Sequence, residues 1–478
     1  MTTFLIALLA LISGFFIYGS IVEKFFKPTN APTPAIAKRD GVDFMPLPTW
    51  KVFLIQLLNI AGLGPIFGAI GGAIWGTSVY LWIVLGTIFA GGVHDYLSGM
   101  ISLREGGKSI TEVAGKYLGA GVLNFMRVFM IALMILVCVV FTVGSAGLLE
   151  MLTGISIHVL IVIILLYFFL ATLLPIDKVI GKIYPLFGIC FILMAVGVMG
   201  GMLLTSSAAM PELQLANLHP KGDEMPICPL MFVTVACGAI SGFHATQSPM
   251  MARCLKNEYL ARPVFYGAMV AEGIIALIWA AAAVTFFHGT DNLFAAMNAN
   301  GASVVVYKIC EGFMGSGVGM VLAMIGVIIC PITSGDTALR SARLILADWI
   351  NFPQEKLQKR LVVSIPLILI SGLIMQFNFE VLWRYAGWLN QSLAAIVLWT
   401  GAVYMTKKFA NRSFFIALIP AIFMTFVSTT YITQAPEGLQ LSPIIGNITA
   451  LILAVICTLQ FFKTCRPNFK FNLNTRLN

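Results

Sequence analysis

Apolar runs of about 20 residues recur from one end of this chain to the other, and that repetition constrains its fold more than any motif does. In hydrocarbon no water satisfies backbone polar groups, so only helices or closed barrels can span it. Period-two alternation is absent, which leaves helices. Of 478 residues, 59% are hydrophobic and 10% charged, which excludes a water-soluble domain. Hydropathy predicts an all-α polytopic membrane protein with thirteen spans at 3–22, 50–76, 79–100, 121–148, 156–174, 183–205, 227–250, 264–287, 315–333, 361–377, 385–404, 413–431 and 443–462.

The net charge of +9 follows from this topology. Alternate connections, with Lys51 assigned to the first, hold 25 Lys and Arg against 3 in the others. The bias places the amino terminus outside and the carboxyl terminus in the cytoplasm, and it names no nucleic acid as a partner. Residues 1–22 have no Lys or Arg ahead of the apolar run, so they read as a retained span and not a cleaved signal. Nine scattered cysteines lack metal-ligand spacing and read as core residues, with Cys228 and Cys310 a candidate bridge near one membrane face. GxxxxGK[ST] and HExxH are both absent, which argues against an enzyme and leaves an ion gradient as the driving force.

Two spans are interrupted. Asn59-Ile60-Ala61-Gly62-Leu63-Gly64-Pro65 divides span 2 near its middle. The halves are about 11 residues and so about 16 Å long each. Ala236-Cys237-Gly238-Ala239-Ile240-Ser241-Gly242-Phe243-His244 does the same to span 7. Spans an odd number apart cross in opposite directions. Paired breaks at such positions mark a five-plus-five inverted repeat with discontinuous helices 2 and 7 around a central site. The chain then divides into 1–49 (an extra span and loop), 50–205 and 206–404 (the repeats), and 405–478 (two further spans and a tail). The competing reading is that the glycines serve close helix packing.

These residues carry a resemblance. Arg39-Asp40-Gly41-Val42-Asp43-Phe44, Ile60–Pro65, Ala236–Ala245, Val93-His94-Asp95-Tyr96, Ser334-Gly335-Asp336-Thr337 and Asn390-Gln391-Ser392 are similar to the carbon starvation protein A family. The resemblance covers about residues 30 to 405. It implies a bacterial inner-membrane permease of the amino acid, polyamine and cation transporter superfamily that takes up peptides or, in some members, pyruvate with protons under nutrient limitation. Longer members carry paired histidines where this chain has Ile55-Gln56, so proton handling at that pair does not carry over.

A helix beginning inside the membrane points free N–H groups and its positive dipole end at the cavity, which suits a carboxylate. The candidate substrate-binding residues are therefore Asn59, Ala61, Gly62, Gly64, Phe67, Ser241, Gly242, Phe243 and Gln391, with the carbonyls of Ile60 and Ala61, freed by the break, available to a cation or a substrate ammonium. His244 and Glu272 are candidate proton-coupling groups, because ionisable residues at that depth mark ion paths. Asp95 and Arg127 fall at similar depth and read as an ion pair or gate. His94 is directed about 100° away from Asp95 on the helix. Thr333 and Ser334 form a candidate sodium site, since in sodium-driven relatives with this fold hydroxyls on the corresponding helix hold the ion. Trp50, Trp82 and Trp383, near span ends, read as interfacial anchors. No cofactor beyond that ion is expected, and the expected partners are membrane lipid and a small solute. A channel would show a continuous polar stripe and a sensor would need a soluble domain, so a carrier for peptides or pyruvate is the leading reading.

Overall fold

The computed structural model describes residues 1–40, 44–173, 176–354, 356–409 and 412–465. Gly41, Val42 and Asp43 of the first family motif lie outside these, as do residues 466–478 of the expected cytoplasmic tail. The described residues form helices and no strand. Among them, ten helices are long and apolar enough to cross a membrane, or eleven if one bent pair counts as a span.

The differences from thirteen are local. Span 156–174 contains an apolar helix, Ile157–Ala171, that is short for a crossing. Span 385–404 lies within helix Phe379–Lys408, whose first half carries Glu380, Arg384, Asn390 and Gln391 and lowers its hydropathy. Span 227–250 appears only as short helical pieces. Conversely, the connection after span 8 contains helix Thr290–Met314, kinked at Gly301. Cys228 and Cys310 are free thiols, the first exposed and the second buried, which corrects the bridge.

Both interruptions expected from sequence are breaks in the structure. Helix Thr49–Ala61 turns by 56° into Gly64–Trp75. The turn is made at Gly62, which has φ 50 and ψ -145. Residues with a side chain rarely adopt that conformation, and glycine does so freely. The second break runs from Val235 to Phe243, between helices Phe232–Thr234 and His244–Ala252. Gly64 lets the two breaks touch, since a Cβ there would collide with the Cys237 side chain.

The freed backbone groups are claimed by neighbouring helices. Ser334 donates its hydroxyl to the Leu58 and Asn59 carbonyls, both at 3.1 Å. Thr87 donates to the Gly238 carbonyl at 2.8 Å, and the Trp82 indole donates to Val235 at 3.1 Å. Trp82 is therefore a buried partner of the second break and not an interfacial anchor. Trp50, by contrast, is exposed.

Gly64→Ala should cost about 1–3 kcal/mol by overpacking, seen as a lower thermal midpoint of the purified protein. Cys237→Gly in the same molecule should restore part of that loss. An unchanged midpoint in the single variant would show that the breaks do not depend on this contact.

Candidate functional site

Three helices bring four ionisable side chains together beside the second break. His94 and Asp95 come from helix Gly92–Arg104, His244 opens helix His244–Ala252, and Glu272 lies in helix Gly267–Phe286. All four are fully buried. Asp95 Oδ1 lies 2.8 Å from His94 Nδ1, and its Oδ2 lies 2.9 Å from His244 Nδ1. An ionised carboxylate only accepts, so both Nδ1 atoms donate to it. That leaves His244 Nε2 facing Glu272 Oε2 at 3.3 Å. The helices carrying Asp95 and His244 are also tied by Ser98 and Ser248, whose hydroxyls lie 3.0 Å apart.

The expected Asp95–Arg127 pair is corrected by these contacts. Arg127 donates instead to Asn124 Oδ1 at 3.3 Å and lines a separate cavity of about 310 Å³ with Arg253, Glu112 and Asp348. Equal depth does not fix the side of the helix a residue faces, and these two face differently. His94, set aside as a partner by its helical angle, reaches Asp95, because side-chain torsions close a gap that Cβ directions alone leave open.

A cavity of about 50 Å³ lies against both breaks, lined by Gly64, Phe141, Thr234, Cys237, Trp383 and Asn390 among others. It shares Thr234, Trp383, Arg384 and Tyr431 with a larger cavity of about 440 Å³ that Phe67 and Lys221 also line. Trp383, expected as an anchor, stands 5.9 Å from the Phe67 ring between the two.

Asn390 organises the second break: its carbonyl accepts from Gly242 N–H at 3.1 Å and its Oδ1 accepts from Phe243 N–H at 2.7 Å. Both N–H groups expected to meet a carboxylate are therefore engaged. Phe243 packs its ring 6.3 Å from Phe141. Ser241 receives the Cys237 thiol at 3.4 Å. Gln391 donates to the Phe232 carbonyl at 3.1 Å and so supports the short helix before the break. Asn59 and Ala61 are fully buried, and both amide atoms of Asn59 and of Gln56 have no hydrogen-bond partner among the described residues.

At the candidate sodium site the two hydroxyls differ. Ser334 reaches the first broken helix, whereas Thr333 bonds the Ile329 and Cys330 carbonyls of its own helix. The broken-helix carbonyls that Ser334 meets are those of Leu58 and Asn59 and not the expected Ile60 and Ala61.

The family described as carbon starvation protein CstA matches residues 1–159, 144–311 and 294–431. The chain belongs to that family. It is 41% identical over 363 residues to an uncharacterized membrane protein of Haemophilus influenzae, covering 65% of this chain and 97% of that one. It is 25% identical to the peptide transporter CstA of Campylobacter jejuni, covering 97% of this chain and 84% of the relative. Identity to the pyruvate/proton symporter BtsT of Escherichia coli is 27%, over 58% of this chain and 47% of the symporter. The fold is similar to the manganese transporter of Eremococcus coleocola, with a TM-score of 0.56 at 13% identity over 89% of this chain and 98% of the other. It is also similar to the nucleobase-cation-symport-1 transporter Mhp1, with a TM-score of 0.50 at 14% identity over 87% and 93%. These named relatives and structural neighbours are transporters, not enzymes.

Asn390, Cys237, Trp383 and Arg384 were not among the residues expected to form the site. Asn390 stands beside Gln391 in the same family motif, so the signal was present but read one residue away. Arg384 sits at a span end, where charge is ordinary, and nothing in sequence separates it from a topological residue.

Asn390→Ala removes Oδ1 and should strand the buried Phe243 N–H at about 1–3 kcal/mol, while the Gly242 N–H keeps its backbone carbonyl partner. It should lower the thermal midpoint more than Gln391→Ala, which strands one carbonyl but also removes a buried Oε1 that has no hydrogen-bond partner among the described residues. Equal shifts would remove Asn390 from its organising place.

Proposed function

We propose that this protein is a secondary carrier of the bacterial inner membrane that imports a small carboxylated nutrient, a peptide or pyruvate, with protons. The single observation that carries the reading is the buried array Asp95–His244–Glu272 beside the second helix break. Asp95 fixes His244 Nδ1–H, so one proton between His244 Nε2 and Glu272 is the exchangeable one. It sits on the imidazole with Glu272 ionised, or on Glu272 with the imidazole neutral. In either arrangement a buried charge has a partner, and removing the proton leaves two carboxylates around a neutral ring, a costly state in low dielectric. That cost supports proton release only when a path to water opens, which is what coupling to a conformational cycle requires.

The same reading assigns thirteen crossings. These are the two broken ones, helix Phe379–Lys408, Ile157–Ala171 and the other apolar helices, with the kinked Thr290–Met314 left at a surface. Spans 2–6 and 7–11 form the inverted repeats, with the amino terminus outside. The solute site spans the small cavity at the breaks and the larger one beside it, which share Thr234, Trp383, Arg384 and Tyr431. Ser334, bonded to the first broken helix, favours a second reading in which sodium drives uptake at Thr333 and Ser334.

In proteoliposomes, Glu272→Gln and His244→Gln should abolish accumulation driven by a pH gradient while retaining counterflow at equal pH, because exchange moves no net proton. Thr333→Ala, which removes a hydroxyl bonded within its own helix, should alter accumulation little. Uptake that follows an imposed sodium gradient and collapses in Thr333→Ala would replace protons with sodium.

Cysteine substitutions at Lys221 and Arg412 test the orientation. Label that does not cross the membrane should reach the first from outside and the second only from the cytoplasm. The reverse would overturn the assignment of sides.

A further inference from the structure

The larger cavity, of about 440 Å³, is lined by an ion pair that nothing in the proton array explains. Arg384 Nε lies 3.2 Å from Glu437 Oε2, and Arg384 Nη1 lies 4.0 Å from Glu380 Oε2. The first contact is close, yet neither Arg384 Nε nor Glu437 Oε2 has a hydrogen bond of good geometry among the described residues. Glu437 is only 5% exposed and Arg384 is 41% exposed. The Tyr431 hydroxyl holds Glu437 Oε1, and the Tyr385 hydroxyl bonds the Glu437 backbone carbonyl at 2.7 Å. The carboxylate is therefore fixed in place, while its guanidinium partner is poorly aligned with it.

Arg384 lines both cavities, and Trp383 and Tyr431 accompany it in both. The charged side chains on the larger cavity are Lys221 and Arg384 against Glu380 and Glu437, with His219 as a further titratable group. The signs balance, which suits a solute carrying one charge of each sign.

We propose that Arg384 and Glu437 form a two-ended binding site for a zwitterionic solute, an amino acid or a short peptide, that opens by exchange of partners. The solute carboxylate takes the Arg384 guanidinium, for which a planar carboxylate is the matching shape. The solute ammonium takes Glu437. Each protein charge leaves one partner and gains another, so no buried charge is stranded. A monocarboxylate such as pyruvate can satisfy Arg384 but leaves Glu437 buried with only its tyrosine, and breaking a buried pair in that way is strongly unfavourable. The proposal rests on the reading that this chain carries a carboxylated solute through these cavities, and it selects between the two substrate classes left open there.

The test compares four ligands by calorimetry on the purified protein: alanylalanine, alanylalanine amide, N-acetyl-alanylalanine and pyruvate. In the natural protein, alanylalanine should bind about 10-fold or more tightly than each of the others, the effect of one charge-assisted contact. In Arg384→Gln its advantage over the amide should vanish, and in Glu437→Gln its advantage over the acetylated peptide should vanish. These are ratios within one protein, so a loss of folded material does not imitate them. Equal binding of pyruvate and alanylalanine by the natural protein, or ratios unchanged in both variants, would overturn the two-ended site. Counterflow in proteoliposomes separates this from the underlying reading. Counterflow of carboxylated solutes with unchanged ratios sinks the ion-pair site alone, whereas no counterflow of any carboxylated solute sinks the carrier reading with it.

Discussion

A backbone that stops being helical inside a membrane must find partners for the groups it frees, and the rest of this structure is arranged around two such places. The first break gives the Leu58 and Asn59 carbonyls to Ser334, and the second gives Val235 and Gly238 to Trp82 and Thr87. Asn390 takes the N–H groups on the far side of the second break. Three helices distant in sequence are thus committed to holding two short irregular segments against one another. The polar residues spent on this task make those helices less apolar than ordinary membrane spans.

Breaking the helices also creates the chemistry. His244 begins a half-helix at the interruption, where its fully buried imidazole meets carboxylates carried by two other helices. Helices from both sides then supply Asp95 and Glu272, one on each ring nitrogen. A charged group so deep persists only with partners, and an array of alternating carboxylate and imidazole provides them in either protonation state. The cavity at the breaks lies next to Cys237, four residues short of Ser241, so the proposed proton and solute sites share one irregular segment. Movement of that segment would reach both, and this shared backbone is the physical basis of the proposed coupling.

Most of the scaffold was legible in the sequence. Hydropathy located the apolar helices, and the glycine clusters located both breaks, because glycine within an apolar run leaves a local mark in composition. Glu272 and His244 were legible as deep ionisable residues for the same reason, since depth follows from position along a span. The span count was less secure: helix Phe379–Lys408 carries functional polarity, and helix Thr290–Met314 carries enough apolar residues to resemble a crossing.

Partnership was not legible. Asp95 and Arg127 matched in depth, yet Asp95 meets His244, 149 residues away, and Arg127 faces another cavity. Trp82 and Trp383 matched the pattern of interfacial anchors, yet one caps a break and the other stands between two cavities. The sequence by itself determined that the chain is a bundle of membrane helices with two mid-depth interruptions and buried ionisable groups near them. Only the tertiary structure decided which groups meet, because hydropathy and spacing report position along a helix, whereas contact depends on rotation about the helix axis and on how helices far apart in sequence pack.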